Sequence, residues 1–167
     1  MWTMGYGNFL SSPLKDLDLS YVCAKITLVG IPNDVNVLYH VFSSLAAESI
    51  NVDMIVQAGT VGEITDLTFT VTQEELEPAL GTIAKVQGDQ KRQVLCDENV
   101  AKISIVGAGM MTNPGVAAGM FEALNAENIP VFVVSTSEIK VSCLVPRANY
   151  QRAVQACHRK FGLDSAK

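Results

Sequence analysis

The sequence predicts an α+β fold built from two small modules that share the element order βαββαβ. The main observation is an internal repeat, in which Lys25–Gly30 returns as Lys102–Gly107. A second matched set lies further along each copy: Phe42, Leu45, Glu48, Ile50 and Val52 correspond to Phe121, Leu124, Glu127, Ile129 and Val131. The composition agrees with two small domains, because 49% of the 167 residues are hydrophobic and 17% are charged.

The elements of the first module follow from the spacing of its apolar residues. Val37, Val41 and Leu45 lie at helical spacing, and Thr72 with Glu75 three residues later forms the pattern of a capping box. Alternating or short apolar runs predict the strands. The predicted order is strand, helix, two strands, helix and a short fourth strand: Lys25–Val29, Asn36–Ser49, Ile50–Gln57, Ile64–Val71, Thr72–Val86 and Gln93–Cys96.

The second module repeats this order but lacks a C-terminal fourth strand. Its predicted elements are Ile103–Val106, Pro114–Asn128, Ile129–Ser135, Ile139–Val145 and Ala148–Phe161. We infer that the β-rich segment Leu17–Val22 supplies the missing strand. The predicted division is a tail at 1–16, a first module at 24–98, and a second module made of 17–23 with 99–167. Both modules follow the split βαβ, or ferredoxin-like, plan, with antiparallel sheets and the helices on one face.

The charge and the cysteine pattern exclude several classes of function. The chain carries 12 Lys and Arg against 17 Asp and Glu, a net charge of −5, which argues against nucleic acid or an anionic membrane as partner. Two histidines and four cysteines without a C-x-x-C pair predict no metal site. There is no signal peptide, and the longest uncharged run, Ile103–Phe121, is rich in Gly; we therefore expect a cytoplasmic protein without a membrane span.

No catalytic constellation is predicted. Gly107–Thr112 approaches the dinucleotide-binding fingerprint, but its sixth residue is Thr and the first module has Gly30–Asn33 at the same place. His40 and His158 lie on predicted helices without a paired carboxylate, and Lys91-Arg92 is expected to be a solvated charge pair. An enzyme that uses the Gly107 loop with a nucleotide stays as an alternative.

The loop at 110–118 is the candidate binding element. A helix begins there, so unpaired backbone N–H groups and the helix dipole favour a small carboxylate. The alternative is that Asn113-Pro-Gly115 only makes the turn and starts the helix.

At these residues the sequence resembles the regulatory region of aspartate kinases, which consists of tandem ACT domains. Lys102–Met110 followed by Asn113–Ala118 resembles the second ACT domain, as does Thr136–Ser142. Ile50–Gln57 resembles the second strand of the first ACT domain. The resemblance covers about Ala24 to Asp164, which is most of the chain.

The resemblance implies a sensor rather than a catalyst. In this family the ACT pair binds lysine, threonine or both as feedback inhibitors of the ATP-dependent phosphorylation of aspartate, the first step toward lysine, threonine and methionine. The implied partners are a kinase domain or catalytic subunit and a second copy of the chain, paired through ACT domains. ATP and Mg would bind only the kinase domain, so no cofactor is expected in this chain. A free-standing ACT sensor or adaptor of another enzyme is the alternative.

The resemblance also implies effector sites at interfaces between ACT domains. The backbone near Gly115 and Ala117 would receive the effector carboxylate, Asp53 its ammonium group, and Gln57 its side-chain hydroxyl or amine. The other positions implied are Met111, Thr112, Asn113, Asn51, Ser137 and Glu138.

The first-module loop departs from the family pattern. Asn33 stands where the family has an acidic residue, and Asn36 stands where it has Gly. The side chain of Asn36 takes space that Gly would leave open, and an ammonium partner is lost unless Asp34 substitutes. We therefore expect this site to be weak or altered.

Overall fold

The computed structural model describes residues 14–18, 22–59, 62–107 and 115–163. These residues form two compact units. The first unit is Val22–Ala101, and the second combines the short N-terminal strand β1 (Leu14–Asp18) with the chain from Lys102 onward. The predicted α+β fold with two repeated modules is confirmed.

The first unit has a four-stranded antiparallel sheet in the order β3-β4-β2-β5. Ile26 of β2 lies opposite Phe69 of β4 on one side and Cys96 of β5 on the other. Its elements, with β5 continuing into the second unit, are β2 (Val22–Pro32), α1 (Val35–Ala47), β3 (Ile55–Gln57), β4 (Ile64–Thr72), α2 (Leu76–Gln87) and β5 (Val94–Gly107).

Both helices of the first unit pack on one face of this sheet. Alternate residues of the strands, such as Ile26 and Phe69, are fully buried with Val41 and Leu45 of α1 and Ile83 of α2. Each such side chain stabilises the fold by about 1.5–3 kcal/mol relative to an exposed position. The opposite face carries threonines, as the period of a strand requires.

The second unit repeats this arrangement with the strand order β1-β5-β7-β6. Met120 and Leu124 of α3 and Cys157 of α4 are buried against Ile105 and Cys143 of the sheet. The elements after β5 are α3 (Val116–Ala126), β6 (Val133–Thr136), β7 (Lys140–Pro146), a 3-10 turn (Arg147–Asn149) and α4 (Tyr150–Phe161).

The N-terminal segment differs from its predicted position. Strand β1 starts at Leu14, inside the predicted tail, and pairs antiparallel with β5 from Leu14 opposite Gly107 to Asp18 opposite Ser104. Val22, the last residue of the predicted strand, instead begins β2 and lies opposite Ala101. The unit boundaries therefore fall at 21/22 and 101/102 rather than 23/24 and 98/99.

Two further predictions differ from the structure: a division between two strands and a helix cap. The strands predicted at Gln93–Cys96 and Ile103–Val106 are one strand, because the chain between them continues beside β2 across a register shift, with Asp97 opposite Lys25 and Val100 opposite Cys23. The predicted capping box is only half formed. Glu75 accepts the N–H of Thr72 at 3.3 Å, but the Thr72 hydroxyl donates to the same carboxylate at 2.8 Å instead of capping the helix.

Within the described ranges, no helix is both long and apolar enough to cross a membrane.

Candidate functional site

The loop between β2 and α1 meets the edge strand β3 in the first unit. Gln57 donates from Nε2 to Oδ1 of Asn33 at 2.9 Å, and the Asn33 N–H donates to the carbonyl of Glu63 at 2.8 Å. Asn33 and Gln57 are both exposed. The structure thus brings together two predicted site residues that lie 24 positions apart in the sequence.

Asp34 caps helix α1 in this loop. Its carboxylate accepts the backbone N–H of Asn36 at 2.9 Å and the Asn36 side-chain amide at 3.2 Å. An aspartate at this position satisfies an N–H group that the helix leaves unpaired, and its charge opposes the positive end of the dipole. The chain's own carboxylate therefore occupies the place where an effector carboxylate would be held at this helix start.

The base of the same loop is held by two residues that the sequence analysis did not select. Gly30 adopts a φ of +62°, donates its N–H to Asp66 at 2.8 Å, and accepts a hydrogen bond from the Arg92 guanidinium at its carbonyl. Arg92 is half-buried, so its predicted role as a solvated charge is wrong. Asp66 could have been identified from its charge, because it is the charged residue of the threonine-rich strand β4.

The segment from Asn51 to the end of β3 carries the other predicted residues of the first unit. Asn51, Asp53 and Gln57 are exposed, whereas Met54 between them is buried, so the extended chain presents alternate side chains to solvent. The Asp53 N–H donates to the carbonyl of Thr70 at 3.1 Å, which attaches the segment to β4. Asn51, Asp53 and Gln57 thus lie along one edge of the sheet.

Glu75 attaches this segment to the start of α2. The Asn51 N–H donates to its carboxylate at 3.0 Å. The pKa of Glu75 is lowered, chiefly by this hydrogen bond and next by the one from the Thr72 hydroxyl, because both favour the charged form. Glu75 therefore positions Asn51, a role that the capping prediction did not include.

The second unit holds the remaining predicted residues. Met111, Thr112 and Asn113 lie outside the described residues. Gly115 is exposed at the start of α3, and Ala117 is half-buried in its first turn. Ser137 and Glu138 are exposed in the turn between β6 and β7, where the Ser137 N–H donates to the carbonyl of Lys140 at 2.7 Å.

The two helix starts differ in how they are capped. Helix α1 has the Asp34 carboxylate, whereas the N-cap residue of α3 is Gly115, which has no side chain of its own to cap the helix. A Cβ added to Gly115 would meet no described atom within 4 Å. Across the described ranges, no three His, Cys, Asp or Glu side chains form a group that could hold a metal ion. Among the described residues, the start of α3 thus lacks a carboxylate like the one that caps α1.

Known proteins with similar sequence and structure cover most of the chain. A family profile described as ACT domain matches residues 26–87 and 103–161. An aspartokinase of Bacillus sp. (strain MGA3) is 41% identical over 143 residues, which cover 85% of this chain and 35% of that protein. The chain thus spans about a third of the length of the curated relatives that it matches.

Two solved structures have almost the same extent as this chain. The ligand-free regulatory subunit of aspartate kinase from Thermus thermophilus has a TM-score of 0.82 at 29% identity and covers 89% of this chain and 99% of its own. The corresponding subunit from Thermus flavus has a TM-score of 0.79 at 30% identity, with the same two coverages. The chain belongs to the ACT domain family and is a tandem-ACT regulatory region of the aspartokinase type.

Proposed function

We propose that the chain senses lysine or threonine and thereby inhibits the phosphorylation of aspartate by an associated kinase domain or catalytic subunit. The observation that carries this proposal is the match with regulatory subunits over nearly their whole length. ATP and Mg would bind the kinase part and not this chain. A second copy, paired through ACT domains, would complete each effector site.

The effector carboxylate would bind the backbone N–H groups near Gly115 and Ala117, beside Met111, Thr112 and Asn113. This assignment is supported by the identity of the N-cap residue, because Gly115 has no side chain that would occupy the start of α3. Asp53 of a second copy would take the ammonium group and Gln57 the end of the effector side chain, with Asn51 beside them. Ser137 and Glu138 are the equivalent polar positions of the second unit.

The corresponding site on the first-unit loop would be weak. The Asp34 carboxylate already accepts the Asn36 N–H at the start of α1. A second carboxylate at this place would be repelled by its negative charge. Asn33, where the family has an acidic residue, carries no charge for an ammonium group, and its side-chain oxygen already accepts a hydrogen bond from Gln57. We therefore expect one strong effector site per chain.

Inhibition would follow from a shift between two arrangements of the ACT domains. An effector can move such an equilibrium only as far as its affinity for one arrangement exceeds that for the other. The attached kinase would be less active in the arrangement that the effector prefers.

Calorimetric titration of the whole chain with lysine and threonine, separately and together, tests the proposal. We expect one of them to bind with about one site per chain. The effector at about 100 times its Kd should raise the free energy of unfolding by about 2.7 kcal/mol. Absence of binding by either amino acid would contradict the proposal.

Gly115→Ala tests the site itself. The added methyl group meets no described atom, and the backbone of Gly115 has an ordinary φ of −87°, so the fold should keep its stability. The same methyl group would obstruct an approaching carboxylate, and we expect affinity to fall about tenfold or more. Gly81→Ala, at another exposed and unobstructed glycine, is the matched control and should bind normally.

A further inference from the structure

The hydrogen bond between Gln57 and Asn33 fixes how the Gln57 amide is turned. Its Nε2 donates to Oδ1 of Asn33 at 2.9 Å. Because an amide carries its nitrogen and its oxygen on opposite sides, Oε1 faces away from Asn33. No described residue donates to this oxygen, and both side chains are exposed, so a ligand at the edge of the sheet can reach them. Gln57 therefore presents an acceptor in a fixed direction.

Strand β4 holds the backbones of both residues. Gln57 lies opposite Leu67 of β4. The Asn33 N–H donates at 2.8 Å to the carbonyl of Glu63, which directly precedes β4. The loop that carries Asn33 and the strand that carries Gln57 are therefore attached to the same central strand, on its two sides. This common attachment keeps the two side chains within hydrogen-bond distance across 24 residues of sequence.

Asn33 is suited to act through Gln57 rather than directly on an effector. Its side chain is neutral, and its Oδ1 already accepts a hydrogen bond from Gln57. Its Nδ2 can only donate, as an ammonium group does, so these two groups cannot bond to each other. A cationic side chain at this edge of the sheet is therefore better served by Gln57 Oε1 than by Asn33 itself.

We propose that Asn33 is a positioning residue through which the site favours lysine over threonine. This inference rests on the proposed function, in which Gln57 takes the end of the effector side chain. The lysine ammonium group has three donors and no acceptor, so it requires an oxygen, which the fixed Oε1 supplies. A threonine hydroxyl both donates and accepts, so it can bond either end of the Gln57 amide. The recognition of lysine thus depends on Asn33, and that of threonine does not.

Calorimetric titration of the whole chain with lysine and with threonine tests this dependence. Asn33→Leu removes the acceptor with little change of size and should weaken lysine binding about threefold to tenfold, because the Gln57 side chain must then be ordered on binding. Threonine affinity should stay within about twofold. Asn33→Asp keeps an acceptor and should retain lysine binding, and Asn125→Leu, at an exposed position of α3, is the matched control.

The outcomes separate this inference from the proposed function. If the unchanged chain binds an effector but Asn33→Leu leaves the ratio of the two affinities unchanged, the proposed function stands and the role of Asn33 is overturned. Tighter binding of threonine than of lysine by the unchanged chain also overturns it. Absence of binding by both amino acids overturns the proposed function and this inference together.

The NMR signals of the side-chain NH2 groups test the contact without an effector. A carboxylate can accept a hydrogen bond but has no N–H, so Asn33→Asp should leave the Gln57 Nε2 signal at its hydrogen-bonded position. Asn33→Leu should move this signal to the position of a solvated amide, whereas Asn125→Leu should not move it. If Asn33→Asp moves the Gln57 signal, as it would if Asn33 donated to Oε1 in the unchanged chain, the assigned direction of the hydrogen bond is wrong and the inference is overturned.

Discussion

The four cysteines occupy two chemical environments. Cys23, Cys143 and Cys157 are buried and Cys96 is exposed. Burial raises the pKa of Cys143 to about 12 and that of Cys157 to about 11. The thiolate is the reactive form. Partial burial and nearby carboxylates raise the pKa of Cys96 too, but its side chain is exposed. We therefore expect one thiol of the native chain to react slowly with a disulfide reagent at pH 8, and the others only after unfolding. Cys96→Ser should abolish the native reaction; fast labelling of a buried thiol would contradict the assignment.

Glu75 makes stability depend on pH. Its carboxylate accepts hydrogen bonds from Asn51 and Thr72, and its pKa in the folded chain lies below the usual 4.5. Its stabilisation is therefore fully present above the pKa of the unfolded chain and is lost as pH falls through the lower folded value. Glu75→Gln should reduce the free energy of unfolding by about 1 kcal/mol or less at pH 7, and by less near pH 3. Urea denaturation at the two pH values checks this, with the exposed neighbour Glu74→Gln as control.

The stability of helix α1 depends on its N-cap residue, Asp34. Asp34→Ala removes the acceptor of the Asn36 N–H and should lower the free energy of unfolding by about 1 kcal/mol. Asp34→Ser keeps a capping oxygen and should lower it by only a few tenths. Asp89→Ala, an exposed aspartate outside the helices, serves as control in the same urea experiment. Equal stability of Asp34→Ala and the unchanged chain would show that the cap is unimportant.

The elements were predictable wherever apolar spacing determines them. Val41 and Leu45 fall on the buried face of α1 that their spacing indicates. Two side-chain hydrogen bonds were not predictable, because neither leaves a periodic pattern in the sequence. One joins Asn33 to Gln57. In the other, the Thr72 hydroxyl donates to the Glu75 carboxylate instead of capping the helix. The candidate residues of the second unit were found by resemblance, and Arg92 was missed because its partner, the Gly30 carbonyl, is 62 positions away.

At the scale of the whole molecule, the second unit is built from two separate parts of the chain. Strand β1 precedes the first unit in sequence but pairs with the part of β5 that belongs to the second. The internal repeat predicted that the second unit lacks one strand of its own. The composition of the N-terminal residues could not define which of them supply that strand. The second unit is therefore discontinuous, and its sheet requires residues from both ends of the chain.

Removal of residues 1–18 tests this discontinuity. Without β1, the β5 residues Ser104–Gly107 lose the neighbour that lies opposite them from Asp18 to Leu14, and their backbone groups become an exposed sheet edge. We expect faster hydrogen exchange at the amides of Ser104 and Val106, which alternate along β5 with the Gly107 N–H that donates to the carbonyl of Ile139. The first-unit amides of Ile26 and Phe69 should keep their protection, because their pairing does not involve β1. Removal of residues 1–13 alone retains β1 and should leave both sets unchanged. If the longer deletion leaves the amides of Ser104 and Val106 equally protected, β1 contributes nothing to the second unit, and the sheet is complete without it.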